Sequence, residues 1–393
     1  MSDDFPAKII INLAAFEHNL RVFQRSAGVS GAEVMAILKA NAYGHGLLEL
    51  APVALECGVK IVGVAKPVEA RQLRLAGFDG EIFTWIFDAA TDFVSLLEDG
   101  VQLSASSVME LRRLVAAAQR AQVRARVHLK VDTGLHRNGI LGEAEFAEVL
   151  QVAKQSSRWV EVIGLWSHLA CGDEVENAFN QTQNEVLVNR LAQLRGAGFE
   201  PEFVHIANSA ATLRLPELHH SLVRPGIGLF GLTPDPVLGA GGDLGLRPVM
   251  RLESTLLSVK PLARGQSVSY GRGFVAEDDT LIGLVPLGYA DGVFRAGSGI
   301  NQGANDRHHA GAPVWVLSDA TPKTASVAGK VCMDQFVVDL GPDSKAQAGD
   351  RVVLWGDPQA GHPSVDDWAQ NTGTINYEIT TRLGGHIPRI YES

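Results

Sequence analysis

Val34-Met35-Ala36-Ile37-Leu38 runs straight into Lys39-Ala40-Asn41-Ala42-Tyr43-Gly44-His45. An apolar run without alternation suits a strand buried on both faces, and the abrupt polar continuation marks the strand's carboxyl end. The same theme recurs at Ile61 to Val64, Ile82 to Phe87, Val101 to Ala105, Val127 to Val131, Val162 to Trp166, Phe203 to Ile206 and Leu222 to Val223. Amphipathic stretches lie between the runs. Pro67 to Ala76 has Pro at a helix-start position, and Ser107 to Arg120 is preceded by Ser106, a candidate cap, with Glu110 as a first-turn acid. Eight such units in about 200 residues favour a closed (β/α)8 barrel over an open doubly wound sheet, because right-handed crossovers lay successive parallel strands side by side.

After Leu232 the texture changes. Thr233-Pro234-Asp235-Pro236 and Gly239 to Gly245 form a turn-rich connector, followed by short strand-like runs at Ser254 to Val259, Thr280 to Val285, Phe336 to Leu340 and Arg351 to Trp355. The expected fold is therefore α/β, an N-terminal (β/α)8 barrel over residues 12–240 with a C-terminal mainly β domain over 241–393. The strand-like Ala7 to Asn12 precedes the barrel and is expected to join residues 1–11 to the β domain. Residues 297–326, rich in Gly and Asn and carrying His308 and His309, read as an exposed insertion whose histidines are solvated rather than metal ligands.

The length of 393 residues agrees with two domains. Lys and Arg total 34 against 44 Asp and Glu, a net charge of -10 with no basic excess to neutralise a phosphate backbone, so nucleic acid is not an expected partner. The acidic start Ser2-Asp3-Asp4 has no apolar stretch behind it, and no run approaches the roughly 18 apolar residues of a membrane span. No membrane association is expected. Cys57, Cys171 and Cys332 lack any paired spacing, so neither a metal site nor a disulfide framework is expected and a reducing cytoplasm fits.

In a barrel, polar groups at the carboxyl ends of the strands face the active-site mouth. Here those ends carry Lys39, Lys130-Val131-Asp132-Thr133-Gly134, Ser167-His168, Ala207-Asn208-Ser209 and Arg224-Pro225-Gly226-Ile227-Gly228. Gly226 and Gly228 expose backbone N–H groups after the eighth strand, where barrels commonly bind phosphate, and Ser209 adds a hydroxyl. Lys39 can form a Schiff base with a carbonyl compound if desolvation lowers its pKa. A phosphate site beside such a lysine points to pyridoxal 5'-phosphate.

With these residues in view, the chain resembles the alanine racemase family. The stretches that carry the resemblance are Ala36 to Gly46, Lys130 to Gly134, His205 to Ala210, Arg224 to Ile227, Ser269-Tyr270-Gly271, Gly288 to Gly292, Val331 to Gln335 and Thr374 to Glu378. Together they span nearly the whole chain in one order.

The resemblance implies an enzyme that interconverts L-alanine and D-alanine, a pyridoxal-phosphate barrel with a C-terminal β domain, and a head-to-tail homodimer whose active sites combine both chains. It makes Lys39 the cofactor lysine and the base on the D-alanine side, and Tyr270, from the partner subunit, the base on the L-alanine side. Two bases on opposite faces are the simplest way to remove a proton from one side of a planar centre and return it to the other. A phenol, with an ordinary pKa of about 10, needs cationic neighbours to act near neutrality; the resemblance supplies His168 and Arg137. Arg224 is placed opposite the pyridine nitrogen, which an arginine leaves mostly unprotonated, so that side reactions such as transamination are disfavoured.

Tyr43, Ser209, Gly226, Ile227 and Tyr377 are implied around the phosphate, with Asn208 beside them. Arg137 and Met333 are implied at the substrate carboxylate, Tyr289 at the entrance, and Asp334 and Lys130 in support, Lys130 as a carbamylated lysine that positions Arg137. An unmodified Lys130 paired with Asp132 is the alternative. Two residues depart from the pattern, His136 where Gly is common and Lys330 where Arg is more usual. Other enzymes of this class are a racemase for another small amino acid and a barrel decarboxylase. A pyridoxal-phosphate homeostasis protein would not need the β domain that bears Tyr270 and Met333.

Overall fold

The computed structural model describes residues 5–301, 309–318 and 321–393. Eight parallel strands, Glu33–Ile37, Ile61–Val64, Glu81–Thr84, Gln102–Ala105, Ala125–Lys130, Val160–Trp166, Phe203–His205 and Leu222–Val223, form one sheet in which the first pairs with both the second and the eighth. The seam between the last two strands is bridged by the backbone N–H of Ser221 donating to Val204 at 3.2 Å and that of Arg224 to Ala207 at 3.0 Å. This is the expected nearly closed barrel, and its strands are buried as the unbroken apolar runs require.

Helices fill the crossovers. Pro67–Leu75 begins with proline at its first position, where the missing N–H costs nothing. Val108–Ala121 is capped by Ser107, whose hydroxyl accepts from the Glu110 N–H at 3.1 Å, one residue later than the Ser106 expected from sequence. The Glu110 carboxylate reaches back to the Ser106 N–H at 2.7 Å, so both serines help to satisfy the helix start.

The second sheet has nine strands in the spatial order 258–262, 280–285, 336–341, 321–327, 313–318, 351–355, 250–255, 7–12 and 389–392. Ala7–Asn12 runs antiparallel to Met250–Thr255 and parallel to Arg389–Glu392, so the opening strand belongs to this sheet. The expected strand at Ser254 to Val259 is instead the corner between two strands, Met250–Thr255 and Ser258–Leu262. The expected insertion also needs correction, because Pro313–Ser318 and Thr321–Val327 pair in register inside this sheet. His309 is half-buried and its ring nitrogens reach the Ser298 carbonyl at 3.0 Å and the Asn371 carbonyl at 2.8 Å, so it is a structural tie and not a solvated residue. His308 lies outside the described residues.

The apolar core is continuous between the two sheets. Buried Asn19, on the helix Leu13–Gly28, donates to the carbonyls of Leu229 and Arg247 and accepts from the Arg247 N–H at 2.7 Å, tying the connector to the barrel. The β domain also grips the segment after Lys39: the Arg389 Nε–H donates to the Gly44 carbonyl at 2.8 Å. A Cβ on Gly44 would stand 2.2 Å from the Thr380 carbonyl oxygen, and with φ of +88° only glycine fits there.

Candidate active site

The first barrel strand ends at Ile37, and the four residues after Lys39 turn the wrong way for L-amino acids. Ala40, Asn41, Ala42 and Tyr43 have φ of 55°, 55°, 52° and 51°, a left-handed turn of non-glycine residues. Each such residue costs roughly 1–2 kcal/mol, so the surroundings must hold the turn in place. The Glu69 carboxylate does much of this. It is buried and accepts from the backbone N–H groups of Ala40 at 2.6 Å, Ala65 at 3.0 Å and Lys66 at 3.0 Å, with Asn41 at 3.4 Å. Asn41 Oδ1 accepts from Leu47 at 2.9 Å and closes the far end. Glu69 was not anticipated as a site residue; the only local signal is its place three residues after Lys66 at a proline-marked helix start.

Lys39 thus emerges into a cavity of about 130 Å³. Eleven of the expected residues line it: Lys39, Tyr43, Lys130, Arg137, His168, Asn208, Ser209, Arg224, Gly226, Ile227 and Tyr377. Phe83, Trp85 and Trp166, not singled out from sequence, complete the apolar wall. Burial first, then the charges of Arg137 and Arg224, lowers the Lys39 pKa below its ordinary value, while Glu69 works against the shift. The shift enlarges the unprotonated fraction of the amine, the form that can act as a nucleophile or base.

Arg224 is 6% exposed and fixed by neutral acceptors. Its NH1 reaches His205 Nδ1 at 2.9 Å, and its NH2 reaches the Ser167 carbonyl at 2.8 Å, the Ile206 carbonyl at 3.2 Å and His168 Nδ1 at 3.2 Å. Its Cζ stands 5.1 Å from the centre of the Trp166 ring, over which Lys130 Nζ also sits at 4.6 Å. Burial and then the neighbouring cations, Arg224 first, hold His168 neutral well below its ordinary pKa.

Burial lowers Lys130 to about 8, with Arg137 and Arg224 adding to the effect. The alternative pairing with Asp132 is not what the structure shows: that carboxylate caps its own turn, accepting from Gly134 at 2.9 Å and His136 at 3.1 Å. His136, the residue that departs from the family pattern, takes φ of 52°, the region a glycine enters without strain, so this turn is held at a local cost.

At the other side of the cavity, Ser209 Oγ accepts from the Gly226 N–H at 2.8 Å. A Cβ on Gly226 would stand 2.3 Å from the Tyr43 hydroxyl, so the glycine is what lets that phenol enter the cavity. The Tyr43 and Tyr377 rings lie 6.1 Å apart, and burial raises both phenols, keeping them neutral donors. Asn208 turns inward to cap the helix Ser209–Arg214, accepting from Ala211 at 3.0 Å. An amine, a guanidinium, a serine hydroxyl, glycine-loop amides and neutral phenols suit a phosphorylated, carbonyl-bearing heteroaromatic group.

Tyr270, Tyr289, Met333 and Asp334 are not brought to this cavity within one chain. They are exposed on the β domain, Tyr270 at 72% and Met333 at 53%. Their loops support one another: Tyr289 N–H donates to the Cys332 carbonyl at 3.0 Å and Ala290 N–H to that of Met333 at 2.9 Å. Ser269, immediately before Tyr270, has φ of 63° and ψ of -175°, a strained conformation for a residue with a side chain, and its hydroxyl donates to the Lys330 carbonyl at 2.7 Å.

Comparison with known proteins agrees with this geometry. Residues 11–234 match the family model for the alanine racemase N-terminal domain, and residues 249–391 match that for the C-terminal domain. The alanine racemase of Mycolicibacterium smegmatis is 42% identical over 98% of this chain and 94% of its own length. That of Thermobifida fusca is 41% identical over 98% of each. Among solved structures, alanine racemase from D-cycloserine-producing Streptomyces lavendulae superposes with a TM-score of 0.92 at 42% identity, covering 100% of this chain and 98% of that one. Alanine racemase from Bacillus anthracis with bound L-Ala-P superposes at 0.86 and 28% identity, covering 100% and 96%. The chain is a racemase and belongs to the alanine racemase family.

Proposed function

We propose that this racemase interconverts L-alanine and D-alanine with pyridoxal 5'-phosphate held in the barrel mouth, and that it works as a homodimer. The observation that carries the reading is the convergence of eleven motif residues on one cavity, with Tyr270 and Met333 exposed elsewhere on the same chain. Lys39 would hold the cofactor's carbonyl carbon, Arg224 would face its ring nitrogen, and Tyr43, Ser209, the Gly226 and Ile227 amides and Tyr377 would hold its phosphate, with Asn208 fixing the loop. The bound cofactor supplies a conjugated ring that accepts the electron pair left when the substrate's α-proton departs.

Lys39 exchanges that proton on the D-alanine face. Tyr270 of the partner subunit exchanges it on the L-alanine face, supported by His168. Arg137 and the Met333 backbone N–H hold the substrate carboxylate, Tyr289 narrows the entrance to a side chain as small as methyl, and Asp334 supports the Met333 loop. A lysine with a pKa near 8 between two guanidiniums has the neutral fraction needed to bind carbon dioxide, and a carbamylated Lys130 would position Arg137. The product supplies D-alanine for peptidoglycan in the cytoplasm.

Racemisation assays with alanine, serine, lysine and glutamate test the substrate. Alanine is expected to turn over fastest, and a faster turnover of any other would overturn the assignment. The purified enzyme should show a visible cofactor band that Lys39→Ala abolishes; a band that survives removes Lys39 from its role.

A further inference from the structure

Behind the cavity, a single file of polar side chains, buried up to the half-exposed Glu81 that ends it and also pairs with Arg126 at 2.6 Å, crosses the barrel from its mouth to its opposite end. Arg224 NH1 meets His205 Nδ1 at 2.9 Å, and His205 Nε2 meets His128 Nδ1 at 3.0 Å. His128 Nε2 meets Gln102 Oε1 at 2.9 Å, and Gln102 Nε2 donates to Glu81 at 2.7 Å. Glu81 and Gln102 open the third and fourth barrel strands, whereas Arg224 follows the eighth, so the file runs along the barrel. His205, His128 and Gln102 are fully buried. The fold makes room for the file: the ladder shifts register between Val127 and His128, and a Cβ on Gly164 would stand 2.1 Å from His128 Nδ1.

Both ends dictate the same direction. Guanidinium can only donate, so His205 Nδ1 accepts, its Nε2 carries the proton, and His128 Nδ1 accepts in turn. Carboxylate can only accept, so Gln102 presents its amide N–H to Glu81 and its carbonyl to His128, whose Nε2 must carry the proton. The two deductions meet without conflict only if both imidazoles are neutral Nε2–H tautomers. A proton added to either would set two N–H groups against each other. The rings of Phe83, Phe203 and Trp166 pack around the pair and leave it no other partner among the described residues. Burial, with the charges of Arg126 and Arg224, accordingly holds His128 at about 3.

We propose that His205, His128, Gln102 and Glu81 are positioning residues for Arg224. They form a one-way hydrogen-bond file, anchored on a carboxylate at the far end of the barrel, that fixes the guanidinium as a donor without bringing a negative charge to it. The Nε–H of Arg224, which bonds no group among the described residues, is thereby left for the cavity. The part of the proposal that concerns the cofactor rests on the function proposed above; the direction of the file does not.

Histidine-selective 15N labelling and two-bond 1H–15N correlation on the full-length enzyme, loaded with pyridoxal 5'-phosphate and stripped of it, tests the direction. Both imidazoles should read as neutral Nε2–H forms in both samples, and an Nδ1–H or doubly protonated ring at either position overturns the proposal. Two variants separate direction from packing. Gln102→Leu cuts the file and leaves the direction set from Arg224. Gln102→Lys keeps a partner for Glu81 but can only donate to His128, which opposes the file. The acid-base midpoint of the visible cofactor band should move by about one pH unit, a tenfold change in proton affinity, in the lysine variant and by less in the leucine variant. Equal shifts would reduce the file to packing and overturn its role. If the tautomers are as stated but the wild-type enzyme shows no cofactor band, the file stands and the cofactor reading falls.

Discussion

The barrel mouth and the exposed patch of the β domain are built on opposite plans. In the mouth, Arg224 and Glu69 are buried and held: the guanidinium by four neutral acceptors, and the Glu69 carboxylate by the backbone N–H groups of the turn after Lys39 and its neighbours, while Arg137 alone stands exposed at the rim. On the β domain, Tyr270, Tyr289 and Met333 stand exposed on loops that brace each other, one of them strained at Ser269. Burial gives the mouth the shifted acidities that chemistry needs. The patch is braced by its own backbone while its side chains stay exposed. Under the function proposed above, the contrast would make the two regions half-sites of one chain, which a second copy would join by two-fold symmetry.

The largest expected effect tests that joining. Lys39→Ala and Tyr270→Ala homodimers should each lose racemisation by about a thousandfold or more, roughly 4 kcal/mol. Co-expressed, half of the dimers would be hybrids with one intact site, so about a quarter of wild-type activity should return under two-fold symmetry. A mixture as inactive as its parents places both bases in one chain. Next in size is Glu69→Ala, which leaves the buried N–H groups after Lys39 without an acceptor and should cost about 3–5 kcal/mol of stability in denaturant melts. Glu69→Gln should cost less, and equal costs would mean that the carboxylate is not what holds the turn.

Acid should weaken the mouth before the patch. The His128 imidazole is neutral in the folded chain down to about pH 3, whereas the unfolded chain takes up its proton near pH 6.5. The unfolded state therefore binds more protons in that window, and stability falls as the pH drops through it, by about 2 kcal/mol at pH 5. His128→Phe should flatten this part of the stability profile; an unchanged slope would assign the loss to other groups. The smallest effect belongs to His136→Gly. Relief of the positive φ should stabilise by about 1 kcal/mol or less, and a destabilised variant would show that the His136 side chain holds the turn beside Arg137.

The two regions also differ in how far the sequence discloses them. Barrel strands are readable because burial on both faces writes itself as unbroken apolar runs, and the residues just past those runs are the ones that meet in the cavity. In the β domain the strands are short and bend at corners such as Leu256-Leu257, and the turn residues around 297–326 conceal two strands of the sheet. Glu69, Gln102 and His128 were not foreseen for another reason. Their partners lie on neighbouring barrel strands or past another strand's end, and such contacts exist only once the barrel has closed. Phe83 and Trp166 likewise read as core and turn out to be core that faces a cavity.

The first strand, Ala7–Asn12, lies between Met250–Thr255 and Arg389–Glu392. During synthesis, this segment, with Ile9-Ile10-Ile11 at its centre, precedes its two neighbours by more than two hundred residues. The residues of the whole barrel lie between it and these partners, and an apolar strand without its neighbours is open to aggregation. The β sheet is thus closed by contacts that span almost the whole chain, the kind that loop-closure entropy makes slow to form.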